Sequence, residues 1–187
     1  MKYVHIAAAA IAAAVSGSAM AGAYVQADVG QGHVSLDCAG TVSCNNDGYS
    51  FGLTGGWAFG SGLAAEFGYT RYGVARATIE QGQHLHEAAG AFKLGVAYTL
   101  PLGSDWRTDF RYGVAQVRTT VGAWDSETNT FLGTLNQTAT KPYLGLGVAY
   151  AITPSLHARL GGEWTKSELM DGVVNLRAIS MGLRYGF

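Results

Sequence analysis

Eight stretches of this chain alternate large apolar residues with small or polar ones. That two-residue period demands strands whose two faces meet different surroundings. Over residues 49–59, Tyr49, Phe51, Leu53, Trp57 and Phe59 share one parity, and Ser50, Gly52, Thr54, Gly56 and Ala58 take the other. The pattern returns from Leu63 to Tyr69, from Phe92 to Leu100, from Trp106 to Val114, from Leu144 to Ile152, from Leu156 to Trp164 and from Ile179 to Phe187. A weaker first segment sets Val25, Ala27 and Val29 against Tyr24, Gln26 and Asp28. Eight strands follow.

The connections carry a second signal. Joints at 60–62, 101–105 and 153–155 are short, whereas 35–48, 73–87, 117–139 and 167–173 are long and polar. Short and long alternate, so the long loops emerge at one end. Even strand number with short turns at one end and long loops at the other is the pattern of a transmembrane barrel of the bacterial outer membrane. Composition agrees. With 13% charged residues and a net charge of −1, the chain lacks the basic excess of a nucleic-acid binder. Its 48% hydrophobic content also excludes a disordered chain.

The N-terminus points to export. Lys2, a compact apolar run over 6–15, a break at Ser16, Gly17 and Ser18, and Ala19-Met20-Ala21 read as a signal peptide over 1–21, leaving a barrel domain over 22–187. The apolar run is too short to span a bilayer as a helix. A soluble eight-stranded barrel would also be secreted, but it would hide the aromatic face and expose the small one. Here the small face fits the narrow interior of an eight-stranded barrel, and aromatics such as Trp57, Phe59, Trp106 and Trp164 sit near strand ends, as interfacial girdles do.

Seven charges fall on the inward parity within strands: Asp28, Glu66, Lys93, Asp109, Arg111, Arg159 and Glu163. Arg107, His157 and Arg184 share it nearer the periplasmic end. Buried charges are costly unless paired, so the expected arrangement is a mutually neutralising interior cluster, with Glu66 and Lys93 one pair to test. Cys38 and Cys44 lie in the first long loop and, after export, are expected to form a disulfide. His84 and His86 in the second loop read as surface residues; no metal or cofactor is expected. His33 and Ser35 share the outward parity near the end of the first strand, where a lipid-facing hydrolase would need them, but the sequence identifies no acidic third member. A non-enzymatic protein is expected.

The last residues narrow the reading. In the terminal run SMGLRYGF, Ser180, Gly182, Tyr185 and Phe187 resemble the C-terminal signal of outer-membrane barrels, which their assembly machinery recognises. The stretch YAITPSLHARLGGEWT over 150–165 resembles the sixth strand, turn and seventh strand of the transmembrane domain of the outer membrane protein A family. AYVQADVG and Tyr69-Thr70-Arg71-Tyr72 are similar to segments of opacity-type surface proteins. The resemblance implies an integral outer-membrane barrel that contacts lipid and lipopolysaccharide and meets the barrel assembly machinery and periplasmic chaperones on its way there. Related barrels carry interior salt-bridge clusters, which makes a gated ion path the alternative to a structural core. Outer membrane protein A continues into a peptidoglycan-binding domain; the resemblance covers its transmembrane domain alone, so its anchoring role is not among the expectations for this chain. The expected function is structural support of the membrane. The alternative is surface adhesion or ligand binding through the long loops. Oligomeric state is left open.

Overall fold

Strands with one apolar face and no covering layer leave unpaired edges unless the sheet closes on itself. In the computed structural model, which describes residues 22–35, 38, 41–60, 62–79, 83–125, 130–169 and 172–187, the sheet closes. The expected signal peptide over 1–21 lies outside the described residues. The strands are β1 (Ala23–Val34), β2 (Thr41–Asn45), β3 (Asp47–Gly60), β4 (Leu63–Ile79), β5 (Gln83–Pro101), β6 (Trp106–Asp125), β7 (Thr130–Ala151), β8 (Leu156–Leu169) and β9 (Gly172–Gly186). Their order is β2-β4-β3-β1-β9-β8-β7-β6-β5, and β4 also pairs with β5. Both β2 and β3 pair with β4, separated by Asn46 alone, so they are two lengths of one stave. The result is a closed antiparallel barrel of eight staves.

Adjacent residues decide which face is inside. Phe67 is 68% exposed while Glu66 beside it is 3% exposed. Leu53, Leu94, Val114, Leu146, Leu160 and Ile179 continue the outward apolar band, and Ser50, Thr54, Thr70, Ala97 and Ala149 face the lumen. In water such a band would drive aggregation; in lipid it is solvated.

The long polar connections expected from the sequence are mostly strand. Only 80–82, 126–129 and 170–171 separate β4 from β5, β6 from β7 and β8 from β9, and β2 lies within the first. Beyond the lipid, the outer face no longer needs apolar residues. Thr119-Thr120-Val121 and the threonines at 130, 134, 138 and 140 therefore continue the ladder without the alternation that marks a lipid-facing strand.

Two irregularities shape the extracellular half. A register shift between Arg71 and Gly73 drops Tyr72, which keeps the inward parity of Glu66 and Thr70 and is fully buried, out of the β4–β5 ladder, and beyond it the inward parity passes to Ala75 and Ala77. Gly32 makes room for Tyr72: a Cβ there would stand 1.7 Å from the Tyr72 carbonyl oxygen. The second irregularity is a seam. The β7–β8 ladder runs from Ala151↔His157 only to Leu144↔Trp164, although both strands continue. Pro142, two residues beyond, has no N–H to donate. Above it the backbone ladder of β7 runs with β6 alone and none of residues 133–140 is buried, so β7 parts from β8 there while β6 still reaches it through Thr119 and Ser167. Side chains tie the foot of the seam: Thr165 Oγ1 donates to the Pro142 carbonyl at 2.9 Å and Lys141 pairs with Glu168.

Candidate functional site

Inward parity on five staves brings the seven expected charges together in the lumen, and Arg184 on a sixth joins them. Asp109 on β6 is the hub, 1% exposed. It accepts from Arg159 Nη2 at 2.9 Å and Nε at 3.1 Å, stands 3.0 Å from Arg111 Nε, and has Arg184 Nη2 3.6 Å away. Arg111 reaches Glu66 at 3.3 Å, and Arg159 lies 3.7 Å from Asp28. Gln26 bridges the two signs, donating to Asp28 Oδ2 at 2.6 Å while its Oε1 accepts from Arg111 at 2.6 Å and Arg184 at 3.0 Å. Tyr24 donates to Glu66, and the Arg184 guanidinium lies 4.7 Å over its ring. A second group stands beside this: Lys93 pairs with Glu163, Tyr72 donates to Glu163, and the Lys93 ammonium is 5.3 Å over the Tyr143 ring.

The structure brings all seven sequence-selected charges into this network. Glu66 and Lys93 are nonetheless not partners. Register places Glu66 opposite Gly95 and Lys93 opposite Gly68, so each reaches across the lumen to another stave. Sequence reasoning missed Tyr24, Gln26 and Tyr72, whose inward parity was the available signal, and placed Arg184 on the same parity but nearer the periplasmic end, whereas it joins the network at Asp109 and Gln26. With Arg184 the network holds four carboxylates and four cations, a neutral set. Neutrality is what a low-dielectric lumen requires. The gap within it is about 20 Å³, room for one water.

Toward the extracellular side the lumen turns apolar. Val34, Tyr72, Ala75, Ala89, Val117, Val174 and Leu176 form one buried cluster over the charges. Above it Thr119 and Ser167 share a hydrogen bond of 2.6 Å, and Glu87 is 2% exposed with Oε1 unpartnered. Glu87 lies three residues beyond Gly90, outside the lipid-facing band, and burial pushes its carboxyl up to about 7.

The remaining sequence candidates sit apart. Cys38 and Cys44 form a disulfide, S–S 2.08 Å. His33 Nδ1 is 2.8 Å from Asp47 Oδ1 on the outer wall, which supplies the acidic neighbour that the sequence did not reveal. No hydrogen bond joins that ring to Ser35, whose N–H donates to the Asn175 carbonyl. No cluster of three metal-ligating side chains occurs among the described residues. On β9, Ser180 borders the charged network, and Gly182 leaves space that Asp28 fills, its Oδ1 2.5 Å from where a Cβ would stand. Tyr185 and Phe187 pack edge to face at 5.1 Å, and the Phe187 N–H donates to the Ala23 carbonyl at 2.9 Å.

Known proteins share this architecture. Neisserial surface protein A superposes with a TM-score of 0.66 at 19% identity, over 89% of this chain and 98% of that one. Ail, the attachment invasion locus protein of Yersinia pestis, gives 0.56 at 13% identity, over 89% and 100%. OprG of Pseudomonas aeruginosa gives 0.53 at 15%, over 90% and 97%. At these identities the likeness is one of fold. No curated protein matches the chain. The outer membrane protein beta-barrel domain family matches residues 4–187, so nearly the whole chain belongs to it, and the protein is an integral β-barrel of the bacterial outer membrane.

Proposed function

We propose that this barrel is a non-conducting, non-catalytic wall protein that supports outer-membrane integrity, its lumen serving as a core. The observation that carries this reading is the side-chain-filled interior: a neutral network of eight charges surrounds a pocket of about 20 Å³, and an apolar layer lies over it. Eight-stranded barrels are wide enough for side chains, whereas aqueous channels belong to larger ones. Lipopolysaccharide is the lipid partner, and the barrel assembly machinery and periplasmic chaperones are partners during biogenesis. A strain lacking the protein should become detergent-sensitive, while the purified barrel in planar bilayers should show no steady conductance. A stable open channel would overturn the reading.

One feature favours a second reading, surface binding. Above Pro142 the β7–β8 ladder stops and Leu135 on the β6–β7 hairpin is exposed, and Ail has been solved with the heparin analogue sucrose octasulfate. Cells in which residues 121–135 are replaced by a tight turn separate the two. Lost adhesion with intact detergent resistance selects binding; lost resistance with unchanged adhesion selects support.

A further inference from the structure

The outer wall carries a feature that the lumen does not explain. Register places Arg71 on β4 and Arg118 on β6 directly opposite Gly90 on β5, from either side, so the three form one row across the wall. Both arginines face outward. Two strand spacings separate their backbones by about 10 Å, within the joint reach of two arginine side chains. Neither guanidinium has an ion-pair partner among the described residues; the one polar contact is Arg118 to Asn136 Oδ1 at 3.5 Å. Gly90 lets Tyr69 lie over the strand, its hydroxyl 2.4 Å from where a Cβ would stand. Tyr69 belongs to an outward aromatic cluster, 5.0 Å from Phe92 and 6.0 Å from Phe51. These side chains line one recess with Thr120.

The level of the row identifies its environment. Phe92, Leu94 and Val114 face lipid below it, and Arg76, His86 and Thr120 stand above, so the row sits where the hydrocarbon of the outer leaflet gives way to headgroups. Two unneutralised guanidiniums there, with a phenol between them and an apolar wall beneath, match one ligand chemistry: a phosphate ester carried on acyl chains.

We propose that Arg71 and Arg118, either side of Gly90, bind the phosphate of a phosphorylated glycolipid of the outer leaflet, with Tyr69 between them and an acyl chain along Phe92. This rests on the wall-protein reading above and names where the wall grips its lipid.

The test uses the full barrel in phosphatidylcholine nanodiscs and measures the retention of purified lipid A, either phosphorylated or enzymatically dephosphorylated. Wild type should retain the phosphorylated form preferentially. Arg71→Ala with Arg118→Ala should weaken that retention about tenfold or more, with the folded band on an unheated gel unchanged. Arg71→Lys with Arg118→Lys should recover most of it. Arg177→Ala, an outward arginine on β9, should leave it unaltered. Equal retention of the dephosphorylated lipid, or an equal loss with Arg177→Ala, would overturn the site. So would loss of sucrose octasulfate binding in the alanine pair with lipid A retention intact, which would assign the row to a soluble polyanion. Failure of the integrity reading shows separately, as unchanged detergent resistance in a strain lacking the protein, and leaves this binding result standing.

Discussion

Asp109 meets three guanidiniums, and its surroundings show why removing one charge costs more than removing a pair. Glu66→Gln would leave Arg111 with less compensation at a site 5% exposed. Breaking a buried pair typically costs ~3–5 kcal/mol, and water in the lumen would reduce that. Urea unfolding in lipid vesicles should therefore place Glu66→Gln well below an alanine substitution at outward Leu160. A double-mutant cycle between Lys93→Met and Glu163→Gln should recover much of either loss, whereas Glu66→Gln with Lys93→Met should be close to additive. Reversal of those two cycles would mean that the register is wrong. Glu87 makes a different prediction. Its carboxyl titrates near 7 in the barrel against an ordinary 4.5, so the folded state binds more protons between those values. Stability should fall as pH rises through that window, by at most roughly 3 kcal/mol, and stay lowered above it. Glu87→Gln should flatten the dependence while leaving stability at pH 4 nearly unchanged. An unaltered pH profile would show that Glu87 is solvated.

At the scale of the strand, what could be read depended on what surrounds each length. Where lipid lies outside and side chains inside, alternation is obligatory, and the expected parity matches the observed faces from Tyr49 to Phe187. Leu146 tests this directly. It faces lipid, while Gly145 lies inward against Arg111, whose Cβ is 3.1 Å from where a Gly145 Cβ would stand. Leu146→Arg should cost about 2–4 kcal/mol near the bilayer midplane and less in thinner bilayers. Gly145→Arg should fail regardless of thickness, through overpacking. Above the lipid the constraint vanishes. The upper lengths of β4, β5, β6 and β7 therefore looked like loops although backbone pairing continues through them. Pro142 was visible as a residue that cannot donate, but the seam it begins also requires knowing which strand lies beside it. The same holds for the charges: parity says which side chains enter the lumen, while partners depend on register and on reach across it. Glu66 thus found Arg111 rather than Lys93.

For the whole molecule, closure and delivery are separable, and Phe187 divides them. The barrel closes through β1 and β9, paired from Tyr24↔Gly186 to Val34↔Leu176, and this ladder carries the covalently open ends. Phe187 adds one backbone hydrogen bond to Ala23 and an edge contact with Tyr185, and its ring remains 50% exposed toward lipid. Deleting it should cost at most ~1–3 kcal/mol, the contribution of one partly buried aromatic side chain. The truncated chain should therefore refold in detergent micelles, with the heat-modifiable mobility of a closed barrel. In cells the outcome should differ if the assembly machinery reads the terminal aromatic together with Tyr185, Gly182 and Ser180. At native expression the truncated protein should then accumulate in the periplasm or be degraded, and little should reach the outer membrane. Normal insertion in cells would remove the assembly role from these residues. Failure to refold in micelles would show instead that the last hydrogen bond and ring contact hold the β1–β9 junction together.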